Sequence, residues 1–265
     1  MKSSVGVYMP GYNVAKYVGA AISSIINQTY EDWELVFLDD GSDDDTFEAA
    51  QKVVKASDNR VSFHRREHCG TIGLTKSEAY SKLSDKHKYV CHVGSDDIIT
   101  ENCLQTFVDY MDEHPEIGAC CGNFICFSDE GKQWTLPHVA NSGEFDSSVL
   151  LRYMCFFPLR FFRREIMEKV GGHNTTMRSS EDYDLALRVD EITKIHRIKE
   201  PVTYHYRQHP TQTSRREHLK MEFNAKKALQ RALDRRGING TVVNDLPPFV
   251  IEMNKEKHFI WGQKK

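Results

Sequence analysis

Short apolar runs alternate with helix-like patterns through the first part of the chain. Val5–Met9 reads as a strand. Ala15–Asn27 follows as a helix, with Val18, Ile22, Ile25 and Ile26 at the three-to-four spacing of one buried face. Glu34–Leu38, Val61–Arg65 and Tyr89–Val93 repeat the strand pattern, separated by helical stretches at Thr46–Ala56 and Leu74–Leu83. Thr100 stands where an N-cap belongs, before a helix lined by Cys103, Leu104, Phe107, Val108 and Met111 that ends ahead of Pro115. Strand and helix in alternation predict an α/β fold, with a parallel sheet, helices on both faces and right-handed crossovers.

The rhythm breaks after residue 115. Gly118–Ser128 is a long strand candidate, and Asp129–Lys132 is a turn into Gln133–Leu136. Residues 137–146 read as a loop, a candidate lid. Ser147–Met154 is a short helix and Leu159–Phe162 an apolar strand, while Glu181–Glu191 is helical. Strands follow near Lys194–Ile198 and Val202–Arg207, then a long helix from Ser214 to Arg236 stopped by Gly237. The tail with Pro247–Pro248 and Trp261 fits no pattern.

Composition changes this picture little. With 40% hydrophobic and 28% charged residues in 265, the chain has the makings of an ordinary soluble core. A net charge of −3 gives no general pull toward nucleic acid. No apolar run reaches bilayer-spanning length, and the strand-like run close after Met1 argues against a cleaved signal. Seven cysteines, without Cys-x-x-Cys spacing, read as reduced and mostly buried. The expected location is therefore the cytoplasm, or the inner face of its membrane.

Two strand ends carry the chemistry. The run Val36–Leu38 stops at Asp39–Asp40–Gly41–Ser42, and Tyr89–Val93 stops at Gly94–Ser95–Asp96–Asp97. In an open parallel sheet, ligands bind beyond the carboxyl ends of the strands. Paired carboxylates there need a donor, a sugar hydroxyl or a metal ion. A phosphatase-type nucleophile is excluded because Gly41 stands where its second Asp belongs. A calcium loop over Asp39–Asp45 lacks the central Gly and the terminal Glu.

Six elements in order resemble the family 2 glycosyltransferases. They are Pro10–Gly11–Tyr12–Asn13, Asp39–Asp40–Gly41–Ser42, Gly94–Ser95–Asp96–Asp97, Val170–Gly171–Gly172–His173, Glu181–Asp182–Tyr183–Asp184–Leu185 and Tyr206–Arg207–Gln208–His209. The resemblance implies a GT-A fold, that is, a Rossmann-like, mixed but mainly parallel sheet flanked by helices, with a C-terminal helical extension. It covers one domain over 1–214, with a nucleotide-binding half at 1–115 and an acceptor half at 116–214. Residues 215–265 are then an appended helix and tail.

The resemblance also implies an inverting transfer from a nucleotide-sugar to a saccharide or lipid-linked hydroxyl acceptor, in cell-surface polysaccharide or glycolipid synthesis. The donor implied is a UDP-sugar, common among relatives with an Asp at position 40. Pro10, Tyr12, Asn13, Asp39, Asp40, Ser95 and Asp96 are the donor-nucleotide candidates. Tyr12 either flanks the base, as an aromatic face does, or is a partly buried core tyrosine. Asp40 is expected to accept from the base, with Asp39 holding the turn.

The metal candidates are Asp97, Asp96 and His209, with Asp97 expected to be the direct ligand of Mn²⁺ or Mg²⁺ because Gly94 replaces a frequent Asp. Asp182 is the implied catalytic base, Glu181 an acceptor-orienting group, and Arg207 a diphosphate contact. The alternatives are a non-catalytic nucleotide-sugar binder, favoured by Gly94, and a sugar-phosphate nucleotidyltransferase. The latter would carry a Gly-rich basic loop where Pro10–Asn13 stands.

Residues 215–236 hold eight basic and three acidic side chains, with Leu219, Phe223, Leu229 and Leu233 as an apolar stripe. The favoured reading is a helix packed on the domain with a solvated basic face. The sharper one is a peripheral docking surface for anionic lipid.

Overall fold

The computed structural model describes residues 4–135 and 146–253. Four strands form the parallel part of the sheet: β1 (Val5–Gly11), β2 (Trp33–Asp39), β3 (Val61–Arg65) and β4 (Tyr89–His92). They lie in the order β3-β2-β1-β4. Helices α1 (Ala15–Ile26), α2 (Thr46–Lys52) and α3 (Ile72–Ser81) connect them. These are the elements that alternation predicted. α2 ends before its expected limit at Ala56, and α3 begins before Leu74.

Alternation along the strands divides the core. Val5, Val7 and Met9 of β1 and Leu35 and Phe37 of β2 face a cluster containing Val18, Ile22 and Ile25 of α1. Tyr8, Val36 and Leu38 point to the opposite face and a second cluster. A strand buried on both faces carries apolar side chains at both parities, as an interior parallel strand requires.

The sheet then becomes mixed. After β5 (Ile98–Ile99) and α4 (Cys103–Glu113) come β6 (Ile117–Ser128), β7 (Gln133–Trp134), α5 (Ser147–Leu150) and β8 (Arg160–Arg163). Strand β8 inserts antiparallel between β4 and β6. The later elements are α6 (Arg164–Lys169), α7 (Glu181–Asp190), β9 (Lys194–Gln208), α8 (Thr213–Arg216), α9 (His218–Arg235), β10 (Gly240–Val242) and β11 (Ile251–Met253). Strand β9 runs parallel to β6, so the carboxyl ends of β1, β2, β4 and β9 share one edge of the sheet.

Several local expectations are corrected. Thr100 does not cap α4: Asn102 occupies the cap, Thr100 hydroxyl bonds to it, and Thr100 instead supplies a carbonyl to Cys103 N–H. The two strands expected around Pro201 are one strand, with a bulge between Cys121↔Arg197 and Asn123↔Val202. Ser147–Met154 is helical only to Leu150, and the long C-terminal helix breaks at Glu217. The seven cysteines are free, six of them buried, as expected. Residues 136–145, which hold nearly all of the candidate lid, and the end of the tail with Trp261 lie outside the described residues.

Candidate active site

At the end of β1, Tyr12 is exposed and its ring stacks on His68, centroids 4.0 Å apart and 18° from parallel. Asn13 adopts a φ of 53°, a left-handed conformation that asparagine tolerates better than most residues. Its side-chain oxygen accepts from Asp43 N–H (2.9 Å), and its own N–H donates to Ser42 Oγ (2.9 Å). Asn13 therefore ties the loop after β1 to the loop after β2. Pro10 pairs with Leu38 in the ladder and is partly buried.

The two acidic residues after β2 differ. Asp39 is fully buried and accepts from Ser42 N–H (3.2 Å) and Ser42 Oγ (2.5 Å), with Arg65 Nε 3.0 Å from its other oxygen. These are the contacts of a turn-holding Asx residue. Asp40 lies beside Tyr12's partner: His68 Nδ1 is 3.0 Å from its Oδ2. Arg66 Nε stands 3.3 Å from Asp40 Oδ1 as an ion pair, yet this oxygen, like Asp39 Oδ2, is buried and accepts no hydrogen bond among the described residues. A buried acceptor left open is costly until a donor arrives.

The acidic pair after β4 is arranged opposite to expectation. Both oxygens of Asp97 are taken, Oδ2 by the Tyr204 hydroxyl (2.5 Å) and Oδ1 by Arg207 N–H (2.8 Å). Burial, and then the neighbouring Asp96 charge, push its carboxyl well above the usual range. Asp97, the expected direct ligand, is thus buried and braces β4 against β9 through both of its oxygens. Asp96 is partly exposed, and His209 Nε2 lies 3.1 Å from its Oδ2. His209 Nδ1 bonds Thr211 Oγ1 (2.9 Å), which fixes the ring. A Cβ at Gly94 would run into the Asp97 carboxylate, so glycine there follows from where Asp97 sits.

Arg207, the expected diphosphate contact, is bound within the chain through two of its nitrogens. Its Nε donates to the Asp96 carbonyl (2.8 Å), and its Nη1 pairs with Asp129 (3.0 Å), a carboxylate also held by Lys16 and Tyr17. The guanidinium braces the acidic turn from below. Ser95 is buried within that turn.

A third group surrounds the start of α7. Asp182 Oδ1 accepts from Tyr183 N–H (2.9 Å), and Arg160 Nη2 donates to Oδ2 (2.8 Å). The ladder sets Arg160 opposite His92 at the end of β4, and its Nε is anchored on the Phe156 carbonyl (2.6 Å). Burial alone would raise the Asp182 carboxyl; Arg160 first, then Lys76, more than offset this and hold it below the usual range. Glu181, the expected acceptor-orienting group, is buried and paired with Lys76 (2.6 Å). Beneath them, the Tyr8 hydroxyl and His173 Nε2 are hydrogen-bonded at 2.7 Å. Burial and the nearby Lys76 cation keep His173 and His92 well below the ordinary histidine range, hence neutral.

Gly171 and Gly172, at φ 75° and 66°, make the left-handed turn that delivers His173. Arg188 donates to both carbonyls that flank this turn, Val170 and Gly172, and pairs with Asp184. Asp184 is accordingly a structural residue.

Sequence reasoning missed Arg160, Lys76, His68, Arg66 and Tyr204. The one signal for Arg160 was a charged residue inside an apolar strand pattern. No cluster of three or more His, Cys, Asp or Glu side chains is arranged around a metal position among the described residues. Asp96 and His209 offer one carboxylate and one imidazole. This fits a divalent ion that takes its remaining oxygens from a bound diphosphate and water.

A mainly parallel sheet with these three groups along one edge defines a glycosyltransferase of the GT-A class. Residues 6–171 match the family model described as glycosyl transferase family 2, and the chain belongs to that family. It is 25% identical over 245 residues to the chondroitin synthase of Escherichia coli, covering 88% of this chain and 33% of that protein. It is 33% identical over 107 residues to the E. coli UDP-Glc:alpha-D-GlcNAc-diphosphoundecaprenol beta-1,3-glucosyltransferase WfgD, covering 40% of each. The chain thus spans well under half the length of these relatives. The S. aureus TarS 1–349 structure with UDP-GlcNAc shares the fold at a TM-score of 0.72 and 16% identity, over 91% of this chain and 68% of that one. No described helix is long and apolar enough to cross a membrane.

Proposed function

We propose that the chain moves a sugar from a UDP-sugar to a hydroxyl acceptor with inversion at the anomeric carbon, in the synthesis of a polysaccharide or glycolipid. The acceptor is a saccharide or a lipid-linked saccharide, and the work is done at the cytoplasmic face of a membrane or in the cytoplasm. One observation carries the reading: an open buried acceptor (Asp40 Oδ1), an acid–imidazole pair (Asp96–His209) and a carboxylate held ionised (Asp182) lie along one sheet edge.

In this reading Tyr12 flanks the base and Asp40 Oδ1 accepts a ring N–H, relieving its unsatisfied burial. Asp39, Asn13, Pro10 and Ser95 shape the loops. Asp96 and His209 would hold Mn²⁺ or Mg²⁺, which would supply positive charge against the diphosphate leaving group. Asp97, Tyr204 and Arg207 keep Asp96 in place. Asp182, its Oδ1 held by Tyr183 N–H and its Oδ2 by Arg160, accepts the proton of the attacking hydroxyl. Lys76 and Glu181 fix the first turn of the helix that carries it.

Release of UDP from a panel of UDP-sugars with Mn²⁺, alone and with saccharide acceptors, tests this. Asp182→Asn is expected to lower transfer by roughly 10²–10⁴-fold. Asp96→Ala is expected to abolish the response to metal, and Asp97→Asn to keep much of it. Nucleotide binding without turnover for any donor or acceptor would favour the non-catalytic reading instead.

A further inference from the structure

Helix α9 divides into two unlike halves. Leu229 and Leu233 are fully buried with Ala225, Ala228 and Ala232 against the α7 side of the core. Leu219 and Phe223, one turn apart at the other end, are 78% and 55% exposed. The apolar stripe expected along the whole helix therefore anchors the domain through its second half only. Its first half projects two large apolar side chains, one turn apart, into solvent.

The charges around this pair are mostly cationic, with Glu217 in the groove wall and Glu222 as the acidic neighbours. Arg215, Arg216 and Lys227 make no ion pair among the described residues, and Lys220 has only a long contact with Glu217 (3.6 Å). The Lys227 ammonium sits over the Phe223 ring, 4.2 Å from its centre. Leu219 and Phe223 also form one wall of a groove whose other wall includes Gly70, Arg178 and Ser179. Ser179 accepts from Asn224 of α9 (2.8 Å), and Ser180 donates to the Met221 carbonyl (2.7 Å). The projecting half of α9 is thus bonded directly to the residues that precede Asp182.

We infer that this half of α9, with α8, is a docking surface for an anionic lipid bilayer. A bilayer offers an apolar phase for Leu219 and Phe223 and phosphates for Arg215, Arg216, Lys220 and Lys227 in one layer. A free anion would leave the two apolar side chains in water. A second copy of the same cationic face would meet like charge. Docking here sets the Asp182 side of the domain toward the lipid surface, which extends the proposed function without depending on its donor chemistry.

The test is flotation of the full chain with phosphatidylglycerol-rich vesicles and with purely zwitterionic ones, at low and moderate salt. Co-flotation with the anionic vesicles, weakened by salt, is expected. Removing three cations (Arg215→Gln, Arg216→Gln, Lys227→Gln) is expected to lower partitioning roughly a hundredfold. Leu219→Ser with Phe223→Ser is expected to release the protein as well, while UDP binding and thermal stability stay at wild-type values because both side chains are exposed. Failure of the wild type to float at low salt, or flotation of the Leu219/Phe223 variant at the wild-type level, overturns the assignment. So does concentration-dependent dimerisation that this variant abolishes while lipid binding is absent. UDP-sugar turnover, measured on the same samples, reports separately on the proposed function.

Discussion

Arg160 Nη2 holds Asp182 Oδ2 at 2.8 Å, from a strand that joins the sheet antiparallel to its neighbours. The carboxylate sits where burial would favour its protonated form, and this guanidinium is the first of the groups that reverse that preference. Lys76 and neutral His173 also face it, with Glu181 beside it paired to Lys76.

Arg160→Gln removes the nearest cation and leaves the burial. The Asp182 carboxyl then rises, so the acidic limb of the pH profile of kcat/KM is expected to move to higher pH. The sign follows because an ionised base is lost earlier on acidification when its partner is gone. At neutral pH the loss of kcat is expected to stay below the roughly 10²–10⁴-fold penalty of removing the base itself. A profile with an unmoved acidic limb would show that Arg160 does not set the state of Asp182.

Gly94→Asp restores the acidic residue frequent in this motif. Its Cβ meets the Asp97 carboxylate, and its charge joins two others in one turn. The variant is expected to lose stability in urea titration, and to gain no affinity for Mn²⁺ by calorimetry. Tighter metal binding with unchanged stability would overturn the brace role given to Asp97.

Lys76 and Glu181 are buried and paired at 2.6 Å. Lys76→Met strands the Glu181 charge and is expected to cost about 3–5 kcal/mol in chemical denaturation. Adding Glu181→Gln to the same chain should recover much of that loss, since the uncompensated charge is what destabilises. Equal stability of the single and double variants would place the cost in packing.

Tyr12 contributes little to the core, being 39% exposed. Tyr12→Ala is expected to leave the melting temperature of the free protein unchanged and to weaken UDP by about 1–3 kcal/mol, the range for a base stacked on an aromatic ring. Calorimetry with UDP decides this, and undiminished affinity would reassign Tyr12 as a partner of His68 alone.

Periodicity exposed the four parallel strands and their helices because each buries a regular face. It could not expose β5, β10 and β11, which are two or three residues long and hold no repeat. Pro201 reads as a chain break in sequence, yet a bulge absorbs it within β9. The strand-end position of Asp39, Asp40, Asp96 and Asp97 was legible, whereas their division of labour was not. In the first pair Ser42 takes Asp39 Oδ1, while Asp39 Oδ2 and Asp40 Oδ1 each lie beside an arginine without a hydrogen bond; in the second, Tyr204 and Arg207 take both oxygens of Asp97. Arg160 and Lys76 were missed because their meaning lies in partners at 182 and 181, far along the chain.

The Asp96–His209 contact joins residues 113 positions apart, and Tyr204 and Arg207 reach the same turn from the end of β9. Closing so long a loop is entropically slow and comes after local pairing. During synthesis, β1 to β4 can therefore emerge and pair while the turn after β4 still lacks its partners from β9. The turn that carries Asp96 and Asp97 gains its partners only when the last residues of β9 have left the ribosome.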